Sequence, residues 1–412
     1  MKNKKVIVVG GGAAGLMCAG IAAQNGADVL LFEKNEKTGR KLMITGKGRC
    51  NITNFCDNDE FISNVLTNPR FMYSAINAFS TYDTVAFFED LGVATKVERG
   101  NRVFPVSDKA LDVCDALYNF VIDNGVKIIT DTVKGLILKN GEVVGVKTAS
   151  DSVYADAVVV ATGGKSYPKT GSTGDGYAFA KSVGHTVVAP TPSLVPLTSN
   201  DAFCAELAGL SLKNVSVSVV DNISKKEIYN DFGEMLFTHF GLSGPTILSA
   251  SSHMREMSKD RYAVHIDLKP ALDYQTLDAR LLKDFAKFIN KDICNSLFEL
   301  LPKSLIPVLL DVCEIDPHTK CNSITAKQRA LLVSTLKDFK VSISDFRPID
   351  EAIITCGGVK CSEIDPKTMQ SKIAKKLYFA GEVIDVDAYT GGFNLQIAFS
   401  TGYLAGVNSA LN

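Results

Sequence analysis

The sequence has no tryptophan, only five histidines and almost no net charge, with 44 Lys and Arg against 45 Asp and Glu in 412 residues. This balance argues against a nucleic acid or an anionic membrane surface as partner, because neither would find an excess of positive charge to bind. Glycines interrupt the apolar run from Val6 to Ala23, and no other stretch is long and apolar enough to span a bilayer. With 46% hydrophobic residues, the chain is also too apolar to be disordered, which leaves a globular protein.

The ten cysteines are scattered, and no two have the CxxC spacing of a zinc or iron–sulfur ligand pair. They predict reduced, mostly buried thiols of a cytoplasmic protein without a metal site. A flavin-linked disulfide is the alternative. Cys356 and Cys361 have its four-residue gap but lie in the wrong part of the chain, whereas Cys50 and Cys56 lie in the right part with five residues between them.

The N-terminus has the pattern of a dinucleotide-binding βαβ unit. The β-branched run KVIVV (5–9) precedes GGGAAG, in which Gly10, Gly12 and Gly15 have GxGxxG spacing, and a helical segment and a second strand ending at Glu33 follow. The three glycines allow a tight turn, the approach of a pyrophosphate and close helix packing. Glu33 lies 23 residues after Gly10, where an acid can accept hydrogen bonds from an adenosine ribose. The unit predicts FAD or NAD.

Three later segments favour FAD. The loop 34–49 is rich in glycine and basic residues and can cover phosphate groups, although a solvated basic loop is the alternative. Residues 126–161 have the pattern of a β-meander with a turn at Asn140-Gly141, and it ends in ATGG. A final helix is predicted to begin between Thr390 and Asn394, where its free N–H groups suit the pyrimidine edge of a flavin. No second GxGxxG indicates a separate NAD(P) domain.

Four segments together resemble the BaiN/YhiN-like flavoproteins, bacterial proteins described as NAD(P)/FAD-dependent oxidoreductases or as aminoacetone-oxidase-type FAD-binding enzymes. They are TGKGRCNITN (45–54), ATGG with TGSTGDGYAFA (170–180), GEMLFTHFGLSGP (233–245) and AGEVIDVDAYTGGFNLQ (380–396). The resemblance covers essentially the whole chain. Phe393 stands where the family often has tyrosine, and Ala388 stands where it often has glycine.

The resemblance implies an α/β fold: a three-layer, glutathione-reductase-type Rossmann FAD domain, with a parallel sheet and a β-meander, split by an inserted β-barrel and helical domain. Prolines at 190, 192 and 196 and the pair Arg347-Pro348 mark the two ends of the insertion. We therefore predict the first part of the FAD domain in 1–189, the insertion in 190–345 and the second part in 346–412. The barrel is predicted in 190–270 and the helices in 271–338.

Carried over by position, the resemblance also implies a set of FAD contacts. They are Gly10, Gly12, Ala14, Gly15, Glu33, Lys34, Arg40, Gly46, Arg49, Val133, Ala161, Thr162, Gly163, Gly381, Glu382, Gly392 and Asn394. For proton transfer the candidates are His239, in a glycine-flanked segment of the insertion, and Asp387 and Tyr389, just before the Gly-Gly turn. A satisfied structural histidine is the alternative for His239.

The predicted function is an FAD-dependent oxidoreductase that takes hydride from transiently bound NAD(P)H and reduces an enone or carbonyl compound. Within the family, reduction of bile-acid intermediates is one named activity. Two alternatives stay open: an amine oxidase of the aminoacetone type that uses O2, and a flavoprotein with structural FAD or with RNA-binding activity. We expect a small-molecule substrate, no nucleic-acid or membrane partner and a cytoplasmic location, and the sequence leaves the oligomeric state open.

Overall fold

The computed structural model describes residues 3–412, and these divide into two compact units. The first unit contains residues 3–193 together with 349–412, and the second unit is Leu194–Pro348. The two ends of the chain therefore build one unit, and the second is an insertion between them. No helix formed by residues 3–412 combines the length and apolar character that crossing a membrane requires.

Short helices and strands build both units. The helices are α1 (Ala13–Gln24), α2 (Arg40–Ile44), α3 (Asn58–Ser63), α4 (Tyr73–Ala78), α5 (Thr81–Asp90), α6 (Ala110–Asp123), α7 (Asp175–Ser182), α8 (Phe203–Glu206), α9 (Pro245–Ser251), α10 (Tyr274–Lys287), α11 (Leu305–Val312), α12 (Ala326–Lys337) and α13 (Phe393–Leu411). The strands are β1 (Lys5–Val9), β2 (Asp28–Glu33), β3 (Thr53–Asn54), β4 (Thr95–Glu98), β5 (Arg102–Pro105), β6 (Lys127–Thr130), β7 (Val133–Lys139), β8 (Glu142–Thr148), β9 (Ser152–Tyr154), β10 (Ala157–Val160), β11 (Val187–Ser193), β12 (Leu197–Thr198), β13 (Ser211–Asp221), β14 (Lys226–Thr238), β15 (Gly241–Ser243), β16 (Tyr262–Asp267), β17 (Phe339–Ile343), β18 (Asp345–Phe346), β19 (Ile354–Val359) and β20 (Leu377–Phe379).

A parallel five-stranded sheet forms the centre of the first unit. Its order is β20-β10-β1-β2-β6, and each neighbouring pair is parallel. The runs KVIVV and AVVV are β-branched and almost wholly buried, as expected of strands covered on both faces. Because all five strands point the same way, the residues that follow them, among them Gly10, Glu33 and Ala161, meet at one edge of the sheet. The predicted Rossmann-type sheet is confirmed.

Helices α1 and α13, from opposite ends of the chain, cross in close contact in this unit. A Cβ added to Gly402 would lie 2.5 Å from the carbonyl oxygen of Ala14, and one added to Gly406 would lie 2.7 Å from that of Cys18. Only glycine therefore allows the two backbones to approach this closely. The contact fixes the C-terminal helix beside the N-terminal βαβ unit.

Strands β7, β8 and β9 form an antiparallel meander, and the β7–β8 hairpin turns at Asn140-Gly141. The sequence pattern predicts residues 126–130 in this meander as well, and the structure corrects this. Residues 127–130 form β6, which pairs in parallel with β2 at the edge of the main sheet. Helix α6 precedes β6 and provides the crossover that a parallel strand requires.

The second unit contains an antiparallel seven-stranded sheet in the order β17-β16-β13-β14-β15-β12-β18. Strands β17 and β18 lie at residues 339–346, outside the 190–270 range in which the sequence predicts this sheet. They join it because β17 pairs with β16 and β18 pairs with β12. Helices α10, α11 and α12 lie in the chain between β16 and β17. Closure of this sheet into a barrel stays a prediction.

A buried histidine joins three segments of the first unit. His185 Nε2 lies 2.7 Å from Ser371 Oγ, and Nδ1 lies 3.2 Å from Glu363 Oε2. Ser371 Oγ also accepts the N–H groups of Ile373 and Ala374. With its lone pairs used, the Ser371 hydroxyl must donate to Nε2, so the proton of the neutral imidazole lies on Nδ1 and faces Glu363.

This arrangement predicts loss of stability in mild acid. Burial holds the pKa of His185 below its ordinary value of 6.5, although Glu363 partly offsets this effect. The unfolded chain therefore binds more protons than the folded chain once the pH falls below about 6.5. The free energy of unfolding from urea titrations should be level above that pH and fall between pH 6.5 and 5.5. His185→Gln should remove most of this fall.

The exposed His318 offers a control, since His318→Gln should keep the wild-type slope. Below about pH 4.5 we expect a second fall in the free energy of unfolding, because Glu363 then takes up a proton. Burial there opposes ionisation, but the hydrogen bonds from Thr186 and the neighbouring His185 hold the pKa of Glu363 below its ordinary value. Equal slopes in wild type and His185→Gln between pH 6.5 and 5.5 would contradict the prediction.

Candidate functional site

The glycine turn after β1 combines two tight contacts with one open space. A Cβ on Gly10 would lie 2.6 Å from the carbonyl oxygen of Ala161, and one on Gly15 would overlap the Gly10 carbonyl oxygen. At Gly12, which precedes α1, no heavy atom lies within 4 Å of the same position. The turn is thus closed against the sheet and open at the start of α1, where the free N–H groups of a helix favour a phosphate. These residues fit the pyrophosphate of a dinucleotide.

Glu33, at the end of β2, faces the same turn. Its Oε2 accepts the N–H of Gly11 at 2.8 Å, and its Oε1 accepts the backbone N–H and the side-chain amide of Asn35 at 2.8 and 2.7 Å. A carboxylate has about four acceptor positions. One therefore stays available for a ribose hydroxyl, as the sequence predicts.

Several basic residues of the loop after β2 have protein partners. Lys34 Nζ lies 2.7 Å from Asp175 Oδ2, and Arg40 donates to the Asn35 side chain at 2.8 Å. The Arg49 guanidinium pairs with Glu98 and Asp108, and it holds the pKa of Glu98 below its usual range. The charges of Lys34 and Arg49 are thus compensated within the protein. Their predicted contacts with FAD stay predictions. The N–H groups at the start of α1 are therefore the first candidates to bind the phosphate groups.

A polar cluster at the carboxyl edge of the sheet joins Glu382, a predicted FAD contact, to Lys41, Ser166 and Thr355, which the sequence does not predict. Lys41 Nζ lies 2.6 Å from Glu382 Oε2 and 2.6 Å from Ser166 Oγ. The other carboxylate oxygen of Glu382 accepts the Thr355 N–H at 2.9 Å and the Ser166 hydroxyl at 3.0 Å. Lys41 is adjacent to Arg40 in a loop of many cations, so no sequence signal indicates which one faces inward.

The residues that follow β10 and β20 approach the glycine turn. Ala161 donates its N–H to Val9 in β1, and Thr162 and Gly163 follow it, half-buried. A Cβ on Gly381 would lie 2.7 Å from the Cβ of Ala14 in the first turn of α1. Of the remaining predicted contacts, Val133 is buried at the start of β7, and Gly46 is exposed in the loop after α2.

The segment before α13 is held rigidly. The Asn394 side chain donates to the carbonyl oxygens of Ala388 and Tyr389 at 2.8 and 3.1 Å and accepts the Ala388 N–H at 3.0 Å. Gly392 precedes α13 with φ +102°, and a Cβ there would overlap the backbone of Thr53. Asn394 therefore contacts its own loop, and the start of α13 is preorganised as a donor site.

The three candidates for proton transfer lie in different surroundings. Asp387 is fully buried, with Oδ2 accepting the Ser193 hydroxyl at 2.9 Å. Tyr389 is half-buried beside it, whereas His239 is exposed in the second unit, in the turn between β14 and β15, with its ring 5.0 Å from that of Phe240. Tyr389 and His239 can exchange protons with a ligand or solvent as they stand, and Asp387 cannot without a rearrangement.

Neither a metal site nor a disulfide emerges from residues 3–412: no group of three or more His, Cys, Asp and Glu could hold a metal ion, and all ten cysteines are free. Burial raises the pKa of the Cys50 and Cys56 thiols to about 12. A redox dithiol needs a thiolate at neutral pH. The structure therefore argues against dithiol chemistry at this pair.

Comparison with known proteins identifies the family. The sequence profile described as "HI0933-like protein Rossmann domain" matches residues 4–408. The chain belongs to this family. The predicted BaiN/YhiN-like resemblance is thereby confirmed, and with it the class of FAD-dependent oxidoreductases.

Two curated relatives of this HI0933-like chain have different activities. The chain is 32% identical to the 3-dehydro-bile acid Δ(4,6)-reductase of Clostridium scindens, over 98% of each chain. It is 31% identical to the ribosomal RNA dihydrouridine synthase of Escherichia coli K12, over 98% of this chain and 97% of the relative. The fold is similar to that of the Rhodococcus jostii 3-ketosteroid-Δ4-(5α)-dehydrogenase solved with 4-androstene-3,17-dione, with TM-score 0.55, 15% identity and coverage of 100% of this chain and 98% of that chain.

Proposed function

We propose that this protein is a cytoplasmic, FAD-dependent reductase that takes hydride from NAD(P)H and adds it to a carbon–carbon double bond conjugated to a carbonyl group. The observation that carries the proposal is the carboxyl edge of the parallel sheet. There the open space at Gly12, the free acceptor position of Glu33 and the preorganised start of α13 fit the pyrophosphate, the ribose and the flavin of one extended FAD.

The substrate class follows from what the two named activities share. A 3-dehydro-bile acid with Δ(4,6) bonds is a dienone, and a dihydrouridine synthase reduces a ring double bond next to a carbonyl. In such conjugated systems hydride adds to the β-carbon of an enone or to the δ-carbon of a dienone, and a proton completes the reduction. The identities of 32% and 31% therefore support the same bond type, although the molecules differ.

Within the site, each part of the chain has a defined task. Bound FAD supplies a hydride acceptor and donor at one ring atom. The N–H groups at the start of α13 stabilise negative charge near them, because a helix N-terminus carries partial positive charge. Asn394 holds Tyr389 in place through the loop backbone, and Tyr389 provides the proton. The role of His239 in proton transfer stays a prediction. Asp387 orders the same loop through Ser193.

Ribosomal RNA is the second candidate substrate, favoured by the 31% identity to a dihydrouridine synthase. The charge of the chain speaks against it. Residues 194–348 contain 18 Lys and Arg against 19 Asp and Glu, and the rest of the chain is equally balanced. Binding of RNA derives much of its affinity from cations that neutralise phosphates. We therefore place the small-molecule enone first.

The experiment separates the candidates. NADPH or NADH should bleach the flavin absorbance rapidly in anaerobic stopped-flow, and a 3-oxo-Δ4 steroid should restore it, with the saturated ketone as product. Bleaching only by an amine, with peroxide formed on admission of air, would show an oxidase instead. Reoxidation by uridine-containing rRNA fragments, with dihydrouridine found by mass spectrometry and no reaction with the enone, would replace the first candidate by the second.

A further inference from the structure

The carboxylate of Glu382 is held in one orientation by three donors from separate parts of the chain. Thr355 N–H and the Ser166 hydroxyl bind Oε1, and the ammonium of Lys41 binds Oε2. Both members of the ion pair are largely but not fully buried, with side-chain exposures of 23% for Lys41 and 12% for Glu382. Since a carboxylate has about four acceptor positions, this arrangement leaves one on Oε2 for a further donor.

Glu382 is next to Gly381, which contacts Ala14 in the first turn of α1. That turn is where the pyrophosphate of FAD would lie, and the groups that adjoin a pyrophosphate in FAD are polyols. A hydroxyl of the ribitol or of the ribose is therefore the donor that the free position on Glu382 suits.

We propose that Lys41 is a positioning residue for the cofactor, which holds the Glu382 carboxylate oriented to accept a hydrogen bond from a polyol hydroxyl of FAD. This inference rests on the proposed FAD-dependent function. The ammonium of Lys41 does this in two ways. It neutralises a carboxylate that would otherwise repel the two phosphate charges, and it aligns the Ser166 hydroxyl that binds the opposite oxygen.

Within residues 3–412, Lys41 is the cation that forms an ion pair with Glu382. Tyr177 of α7 contributes a buried phenol whose pKa is raised, chiefly by burial and further by Glu382 and Asp385. Tyr167 presents its ring to Lys41, with the ammonium 5.9 Å from the ring centroid. The carboxylate of Asp385 lies on the same segment as Glu382 and adds negative charge. Removing the Lys41 ammonium therefore leaves the Glu382 carboxylate without its ion-pair partner.

The test is the dissociation constant of FAD for the deflavinated protein, measured by FAD fluorescence. Lys41→Met should weaken binding about tenfold or more, because the Glu382 carboxylate then lacks its ion-pair partner and faces the phosphate charges of FAD. The double variant Lys41→Met/Glu382→Gln should bind FAD better than Lys41→Met. Lys41→Arg should retain most of the affinity.

Lys139→Met, at the exposed end of β7, is the matched control and should bind FAD as the wild type does. An unchanged dissociation constant for Lys41→Met overturns the inference. A loss in Lys41→Met that is not relieved by adding Glu382→Gln overturns it as well, since that pattern is expected of a merely structural lysine. A wild-type protein that takes up no FAD would instead refute the proposed function.

Discussion

Replacing Gly12 by valine should abolish tight FAD binding and leave the fold intact. The backbone at Gly12 has φ −84° and ψ −171°, a conformation open to any residue, and no heavy atom lies within 4 Å of the added Cβ. The added Cβ would therefore meet no protein atom, and the valine side chain would occupy the space above the first turn of α1. We expect the dissociation constant of FAD to rise about 100-fold or more, because the phosphates can no longer reach the helix N–H groups.

The measurement is FAD binding together with urea unfolding in the absence of FAD, followed by circular dichroism because the chain has no tryptophan. The free energy of unfolding without cofactor should stay within about 0.5 kcal/mol of wild type. Gly135→Val is the matched control, since Gly135 also faces open space but lies in β7 of the meander. Undiminished FAD affinity in Gly12→Val would place the pyrophosphate elsewhere.

The sequence can predict the part of the site whose spacing is local, and the contacts of these residues with FAD stay predictions. Gly10, Gly12, Gly15 and Glu33 lie within one βαβ unit, where strand and helix geometry converts sequence distance into position. The strands of the parallel sheet are predicted from their β-branched runs, because that pattern is also local in the sequence. The motif at 380–396 was recognised by resemblance, and its interpretation as a preorganised helix start agrees with φ +102° at Gly392.

The contacts that join distant segments could not be predicted in this way. Lys41 and Glu382 are 341 positions apart, and nothing in the local pattern distinguishes Lys41 from its neighbour Arg40. Residues 126–130 were predicted in the meander because periodicity shows that a strand exists but not which strand it pairs with. Asn394 has the residue type of a ligand contact, yet its amide binds its own loop.

Gln396→Leu should destabilise the protein by about 2–4 kcal/mol, although leucine is similar in size and fits a buried helix face. Gln396 is fully buried in α13. Its Oε1 accepts the hydroxyls of Thr53 and Thr84 at 2.6 and 2.8 Å, and its Nε2 donates to the carbonyl of Phe79 and to Ser400 Oγ at 3.1 and 2.9 Å. Leucine would leave the buried Thr53 hydroxyl without this acceptor, whereas Thr84 can still donate to the Ser80 carbonyl oxygen and Ser400 to that of Phe79.

Two further variants separate this cause from a simple packing change. Gln24→Leu, at the exposed end of α1, should change the free energy of unfolding by no more than about 0.5 kcal/mol. Adding Thr53→Val to Gln396→Leu should restore about 1 kcal/mol, because replacing both partners by apolar groups removes the unsatisfied hydroxyl. The argument would be contradicted if Gln396→Leu lowered the free energy of unfolding by less than about 1 kcal/mol, or if the double variant recovered none of it.

The same glutamine connects stability with the cofactor site. Thr53 is bound by Gln396 through its hydroxyl, and its backbone lies against Gly392 at the start of α13. A shift of Thr53 in Gln396→Leu would therefore disturb the N–H groups proposed to face the flavin. Saturating FAD stabilises a protein in proportion to the logarithm of the ligand concentration over the dissociation constant. At equal FAD concentration, the gain in unfolding free energy should thus be smaller in Gln396→Leu than in wild type, and it should be unchanged in Gln24→Leu.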